Sequence, residues 1–167
     1  MSAQPALDVA DRRAATAPPL VLALGNRLMT DDAAGPLALE RVRPGVGGAA
    51  LVDGGTCGLA LLPAIEDAGA LIVLDAAKLG RAPGAVTVLE GTALDAALAG
   101  VRSSAHEVAL ADLLDAARVT GRLPARRALV AIEPDRIGVG VAPTPDVAAA
   151  LPRAAAEVHA LLERWSA

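Results

Sequence analysis

The chain has almost no aromatic residues, since Trp165 is the only one among 167 residues and Phe and Tyr are absent. Aromatic side chains supply much of the buried area in most protein cores. Here the methyl groups of Leu, Val, Ile and Ala must fill the interior, so we expect close contacts between helices and sheet. The same shortage disfavours a flavin site, which would use aromatic stacking.

Cysteine is also scarce, because Cys57 is the only one and no internal disulfide can form. Nothing therefore indicates an oxidising compartment. Residues 1–18 lack the apolar core of a signal peptide, and no apolar run approaches the roughly 20 residues of a membrane span. We expect a cytoplasmic protein with no membrane segment, in which residues 1–18 form a flexible tail before a single domain over residues 19–167.

A basic surface is missing as well. The formal net charge is −4 and the isoelectric point is near 5.1, whereas nucleic-acid binders usually carry a basic stripe. Arg122, Arg126 and Arg127 form only a small local cluster. The composition therefore predicts no nucleic-acid partner.

What the chain does contain is a series of short apolar runs separated by helical patterns and turn residues. Continuous apolar runs of this length are typical of strands covered on both faces. Strands are predicted at 20–24, 49–52, 70–74, 85–89 and 128–132, and helices at about 31–43, 59–68, 107–118 and 145–165. The pattern predicts an α/β fold, a three-layer sandwich with a twisted, mostly parallel five-stranded sheet flanked by helices.

The connection over residues 78–84 is too short for a crossover helix, which parallel neighbours need. We therefore expect the strand at 85–89 to run antiparallel to the strand at 70–74, as a hairpin or an edge strand. Residues 90–105 must then carry the chain back before the helix at 107–118.

Three polar islands follow these predicted elements. Asp31 and Asp32 come after the first strand, Asp75 closes the third, and His106 begins a helix. Parallel strands bring their carboxyl ends to one edge, where ligands bind, and two carboxylates with a neutral imidazole suit a divalent metal. Asp31 is the predicted N-cap of the first helix, which leaves Asp32 for the site.

Each of these residues also has an ordinary explanation as a helix cap, a turn former or a surface residue. Other chemistry is less well supported. The Gly54-Gly55 turn could hold an anion through its amides, but it lacks the lysine and the glycine spacing of nucleotide-binding loops. Cys57 could act as a nucleophile with His106 as base, although a lone cysteine is usually an inert small apolar side chain. We interpret His159 as structural.

Five segments in register resemble the NiFe-hydrogenase maturation endopeptidases, over about residues 21–165. The segments are Gly25-Asn26-Arg27-Leu28-Met29-Thr30-Asp31-Asp32, Asp53-Gly54-Gly55-Thr56-Cys57-Gly58-Leu59, Leu74-Asp75-Ala76, Pro83-Gly84 and Ser104-Ala105-His106-Glu107. Glu133-Pro134 takes the place of a Gln-Pro or Glu-Pro step in that family.

The resemblance implies an aspartyl-type α/β endopeptidase that removes the C-terminal peptide from the nickel-loaded precursor of a hydrogenase large subunit. It implies that Asp32, Asp75 and His106 are the catalytic, nickel-sensing residues, with the nickel supplied by the substrate. A further set of residues would form the substrate cleft: Asn26, Asp31, Gly54, Gly55 and Thr56.

Two residues depart from the family pattern. Ala33 stands where the first motif usually continues with Gly, and Asp32 occupies a position that is often Glu. Asp in place of Glu shortens the reach toward a metal by one methylene. An alternative function is a non-catalytic module of the same fold that docks a metalloprotein precursor or a small anion.

Overall fold

The computed structural model describes residues 16–100 and 105–166, with residues 105–108 described for the backbone only. The predicted tail over residues 1–18 lies mostly outside these ranges, as do Ser103 and Ser104. Across the described ranges, none of the helices combines the length and the apolar character that crossing a membrane requires.

The described residues form five strands and five α-helices. The strands are β1 (Pro19–Leu24), β2 (Ala50–Gly55), β3 (Ala70–Ala76), β4 (Val86–Glu90) and β5 (Arg127–Ile132). The helices are α1 (Ala34–Leu39), α2 (Leu62–Glu66), α3 (Gly91–Ala99), α4 (Ala105–Val119) and α5 (Pro145–Ser166), and 3-10 turns occupy Thr30–Ala33, Val46–Gly48 and Gly58–Leu61.

The strands form one sheet in the order β2-β1-β3-β5-β4. The first four of these are parallel, and only β4 runs antiparallel, at the edge next to β5. Every residue of β3 is buried, as the apolar run from Ala70 to Leu74 predicts. The α/β class and the mostly parallel five-stranded sheet are confirmed.

Two apolar clusters cover the two faces of the sheet and complete the three layers. On one face, α1 and α5 pack against residues such as Ile72 and Val130. On the other face, α2, α3 and α4 pack against residues such as Leu71 and Leu129. The core consists of aliphatic side chains, as the shortage of aromatic residues requires.

The predicted partner of the strand at 85–89 is wrong. β4 is an antiparallel edge strand, but it pairs with β5, for example Val88 with Val130, rather than with β3. The connecting loop is held over the end of β5 by Glu133, whose backbone amide donates to the Ala85 carbonyl and whose carboxylate accepts from the Leu79 amide at 2.8 Å. Since β5 already occupies that side of β3, β4 adds one position further out.

The chain return that follows β4 contains a helix, α3, which was not predicted from the sequence. Its Asp95 accepts a hydrogen bond from Arg127 Nε at 3.0 Å at the start of β5. This hydrogen bond outweighs the effect of partial burial and lowers the pKa of Asp95. The pair fastens α3 to the sheet.

The helices predicted at 31–43 and 59–68 are shorter than expected. Each begins as a 3-10 turn, and the α-helical parts have six and five residues. After α1, the amides of Arg41 and Val42 bond to carbonyls three residues back, which is 3-10 geometry. Apolar spacing alone does not distinguish these turns from α-helix.

Gly35 lets α1 sit directly on the carboxyl ends of two strands. A Cβ atom at this position would lie 2.3 Å from the Leu24 carbonyl oxygen and 2.5 Å from the Leu74 carbonyl oxygen. Both neighbours are backbone atoms, which cannot swing aside. The glycine therefore sets how closely the turn before α1 approaches the end of β3.

Gly35→Ala should lower the free energy of unfolding by about 3 kcal/mol or more, since the added methyl group overpacks a rigid contact. Gly100→Ala is the matched control, because a Cβ there would meet only the Ala97 carbonyl at an ordinary 3.4 Å. Urea unfolding of both variants measures the difference. Equal stabilities would show that α1 can shift without cost.

Candidate active site

The edge at which β1, β2, β3 and β5 end is the carboxyl edge of the sheet, and it carries both predicted carboxylates. Asp75 is the next-to-last residue of β3 and is only 1% exposed. Asp32 lies in the 3-10 turn after β1, and that turn contacts β3. The Asn26 amide donates to Asp32 Oδ2 at 2.9 Å, so the backbone of the preceding loop orients this carboxylate.

His106 lies in the first turn of α4. The end of α4 at Val119 leads to the amino end of β5, so the helix starts toward the carboxyl edge. The side chain of His106 is outside the described part of the structure. Among the side chains that are described, no three His, Cys, Asp or Glu residues are grouped so that they could hold a metal. The triad of Asp32, Asp75 and His106 therefore stays a prediction.

The two adjacent glycines at the end of β2 have different roles. A Cβ on Gly54 would come within 2.9 Å of the Leu22 and Leu61 side chains, so packing beneath the strand requires this glycine. Gly55 has a φ of +50° with open space around it, and its amide donates to Asp53 Oδ1 at 3.1 Å. Thr56 is exposed beside it. Only the part from Gly55 onward is open to a ligand.

Arg27 links the loop after β1 to Asp53 in β2 and to Glu40 at the end of α1. Its Nε and Nη2 donate to Asp53 Oδ2 at 3.1 and 2.9 Å, and its Nη1 donates to Glu40 Oε1 at 2.6 Å. The hydrogen bonds to Glu40 and Asp53 raise the pKa of Arg27. These side chains are about half exposed, so the pairs contribute little to stability. They hold two sides of the candidate cleft at a set distance.

The side chain of Asn26 works within its own loop. Its Oδ1 accepts a hydrogen bond from the Leu28 amide at 2.9 Å, and its carbonyl accepts from the Met29 amide. Cys57, by contrast, is exposed, and its interpretation as an inert side chain stays a prediction. His159 Nε2 accepts from the Arg43 amide at 3.1 Å, which is the contact of a structural histidine.

The predicted role of Asp31 as a helix cap is wrong. The turn at 30–33 has no side-chain cap, and the fully buried Asp31 carboxylate instead binds the loop that follows β5. Its Oδ1 accepts from the Thr144 amide at 2.6 Å, and its Oδ2 accepts from the Asp135 and Arg136 amides at 2.9 and 2.8 Å. The Thr144 hydroxyl also donates to Oδ2 at 3.0 Å. The carboxylate predicted for the substrate cleft thus faces the interior.

These four hydrogen bonds also set the ionisation of Asp31. Burial alone opposes the charged form, but the amides of Arg136, Thr144 and Asp135 and the Thr144 hydroxyl outweigh it. The pKa of Asp31 lies below its usual value. The residue is a charged anchor beneath residues 135–144, which we name the anchored loop.

Thr30 makes a second connection to the anchored loop. Its φ of +36° is strained for a β-branched residue. Its hydroxyl donates to the Arg136 carbonyl at 2.8 Å and accepts from the Gly138 amide at 2.9 Å, and its own amide donates to the Gly140 carbonyl at 2.9 Å. The loop therefore holds the backbone immediately before Asp32 in an unusual conformation.

Asp31→Asn should lower the free energy of unfolding by about 2–3 kcal/mol, because the amide group of Asn leaves buried backbone donors unsatisfied. Asp135→Asn is the control, since the exposed side chain of Asp135 takes no part in the anchor and only its amide does. Urea unfolding should show less than about 0.5 kcal/mol for the control. If Asp31→Asn lowers the free energy of unfolding as little as the control does, Asp31 does not anchor the loop.

The anchor should also be sensitive to acid. Because the pKa of Asp31 is lowered in the folded protein, its contribution is fully present above the pKa of an unfolded Asp, about 3.9. The contribution is lost as the pH falls through the lower, folded value. The free energy of unfolding should be measured for the unmodified protein and for Asp31→Asn from pH 7 to pH 3. The difference between the two values should become smaller below about pH 4. A gap that stays constant over this range would exclude a charged anchor.

The chain is similar to known proteins over most of its length. The model of one protein family, described as hydrogenase maturation protease, matches residues 38–161. This range includes Asp75 and His106 and begins shortly after Asp32. The hydrogenase 2 maturation protease of Escherichia coli is 34% identical over 149 residues, which are 86% of this chain and 89% of that protein. The hydrogenase expression/formation protein HupD of Rhodobacter capsulatus is 33% identical over 87% of this chain and 71% of its own length.

Solved structures agree. The hydrogenase maturating endopeptidase HybD from Escherichia coli superposes with a TM-score of 0.80 at 32% identity, covering 88% of this chain and 93% of that one. The maturation protease HybD from Thermococcus kodakarensis gives a TM-score of 0.74 at 26% identity, covering 87% and 99%. With a family model that matches well over half of its residues, and with these relatives, the chain belongs to the hydrogenase maturation protease family.

Proposed function

We propose that the protein removes the C-terminal peptide from the nickel-loaded precursor of a hydrogenase large subunit. Family membership makes it a hydrolase of the endopeptidase class. The location of Asp75 and Asp32 on adjoining elements at one edge of the sheet supports the proposed substrate and cleavage site. That edge is where an α/β sheet binds its ligand.

The two carboxylates differ in how they are held, which suits two roles. Asp75 belongs to a fully buried strand and is rigid, so it gives a fixed position at the bottom of the site. Asp32 is partly exposed and accepts a hydrogen bond from the Asn26 amide. It faces the side from which a substrate arrives.

Nickel enters this proposal as part of the substrate. Carboxylate and imidazole are suitable donors for a divalent transition metal, and Asp32, Asp75 and His106 supply three of them. Without a thiolate among the three, the protein should bind free nickel weakly and need the ligands that the precursor itself provides. The protein would then cleave only precursors that already contain the metal.

In this mechanism the protein positions the peptide bond. Asp32, Asp75 and His106 hold the metal-bearing end of the precursor, while the segment from Gly55 to Thr56 and the loop at Asn26 border the peptide. Arg27 keeps these two borders together through Asp53. The substrate's nickel could polarise the scissile carbonyl or activate water, or act as a recognition tether.

Membership in a family of proteases does not favour the alternative of a non-catalytic docking module. A nucleotide-binding function is also not supported, because packing rather than ligand approach accounts for Gly54. The cytoplasmic location inferred from the cysteine content stays a prediction.

Asp75→Asn and His106→Ala should each reduce cleavage of the nickel-loaded precursor by about a hundredfold or more, since loss of even an outer partner of a metal ligand typically costs 10–100-fold. The measurement is the intact mass of the precursor after incubation, with nickel-free precursor alongside. Only the nickel-loaded precursor should lose its C-terminal peptide.

The controls are matched by residue type. Asp67→Asn changes an exposed carboxylate at the end of α2, whose ion pair with Arg122 spans 3.7 Å. His159→Ala changes the second of the two histidines. Both should cleave at the original rate. Cleavage of nickel-free precursor, or full activity of Asp75→Asn, would refute the nickel-sensing site.

A further inference from the structure

The anchored loop exposes an unusual amount of apolar surface. Ile137, Val139 and Val141 are 40%, 92% and 79% exposed, and Leu28 beside them is 63% exposed. No charged residue occurs between Arg136 and Asp146. We name these four side chains the apolar surface. A cluster of exposed aliphatic side chains of this kind is typical of an interaction site.

The backbone beneath the apolar surface is firmly held. The Gly140 amide donates to the Leu28 carbonyl at 2.9 Å, and Met29 and Gly140 form a parallel β-bridge. The hydrogen bonds of Asp31 and Thr30 fix the same loop from below. The apolar side chains are therefore presented from an ordered backbone, which reduces the entropy lost on binding.

The position of the surface indicates what covers it. Leu28 precedes Asp32 by four residues, and the loop follows β5, so the apolar surface borders the carboxyl edge. A protein whose peptide bond reaches Asp32 and Asp75 must also lie over these neighbouring side chains. A second copy of this chain bound here would instead block the approach to Asp32.

We propose that the apolar surface docks the hydrogenase large-subunit precursor, through apolar side chains on the folded part of that protein next to its C-terminal peptide. This inference rests on the proposed function and adds a recognition site outside the residues that contact the metal and the scissile bond. Contact through aliphatic side chains needs no metal, so the precursor should bind here before and after nickel insertion.

The test compares the double variant Val139→Ser, Val141→Ser with Val119→Ser. Val119 is 87% exposed at the far end of α4, away from the carboxyl edge, so its substitution makes the same type of change once, on a different surface. The KM for cleavage of the full-length, nickel-loaded precursor should rise about tenfold for the double variant, from the apolar contact it loses. For Val119→Ser it should stay within twofold, and the thermal unfolding midpoints of all three proteins should agree.

The outcomes separate the two proposals. If the original protein does not cleave the precursor, the proposed function fails. If it does and both variants keep the original KM, only the docking site is refuted, and a change in the oligomeric state of the double variant would then assign the surface to a second copy.

Hydrogen exchange of the unmodified protein gives an independent readout that needs no variant. Adding nickel-free precursor should slow amide exchange within residues 137–142 while leaving the end of α4 unchanged. Unchanged exchange in the loop would overturn the docking site.

Discussion

The buried carboxylate of Asp31 is the interaction on which the functional edge of the protein depends. It is a charge in an aliphatic interior, and it is tolerated because three backbone amides and a hydroxyl surround it. Through these bonds the turn after β1 and the loop after β5 become one unit. Thr30 can then keep a backbone conformation that a β-branched residue alone would avoid. That conformation sets the position of Asp32, two residues further along the chain.

A second constraint is the absence of bulk at the joint between helix and sheet. Gly35 brings the backbone of α1 against the carbonyls of Leu24 and Leu74, and Gly54 lets Leu22 and Leu61 pack beneath the end of β2. Small residues at these points compensate for the lack of aromatic side chains, because close backbone contact provides the burial that large rings give elsewhere. A core of Leu, Val, Ile and Ala thus also defines the geometry of the site.

The sequence predicted correctly the features that depend on residues close together in the chain. Short, mostly apolar runs predicted all five strands, and the short link before β4 predicted its antiparallel direction, because both depend on nearby residues. The residues of β5 that pair with β4 come roughly forty positions later in the chain, and local spacing does not contain that contact. Asp31 was misassigned for the same reason: its position suits a cap, while its partners lie beyond residue 134. The sequence signal available for the partners of Asp31 was the occurrence of isolated polar residues, such as Thr144, in apolar surroundings.

The partners of Asp31 come 104 to 113 residues later in the chain, and this separation has a consequence during synthesis. Strands β1 and β3 can pair early, but the turn that carries Asp32 lacks its anchor until Thr144 has left the ribosome. Contacts so distant in sequence form late, because the entropy of closing a long loop must be overcome first. The carboxyl edge therefore takes its final form only after most of the chain has been synthesised.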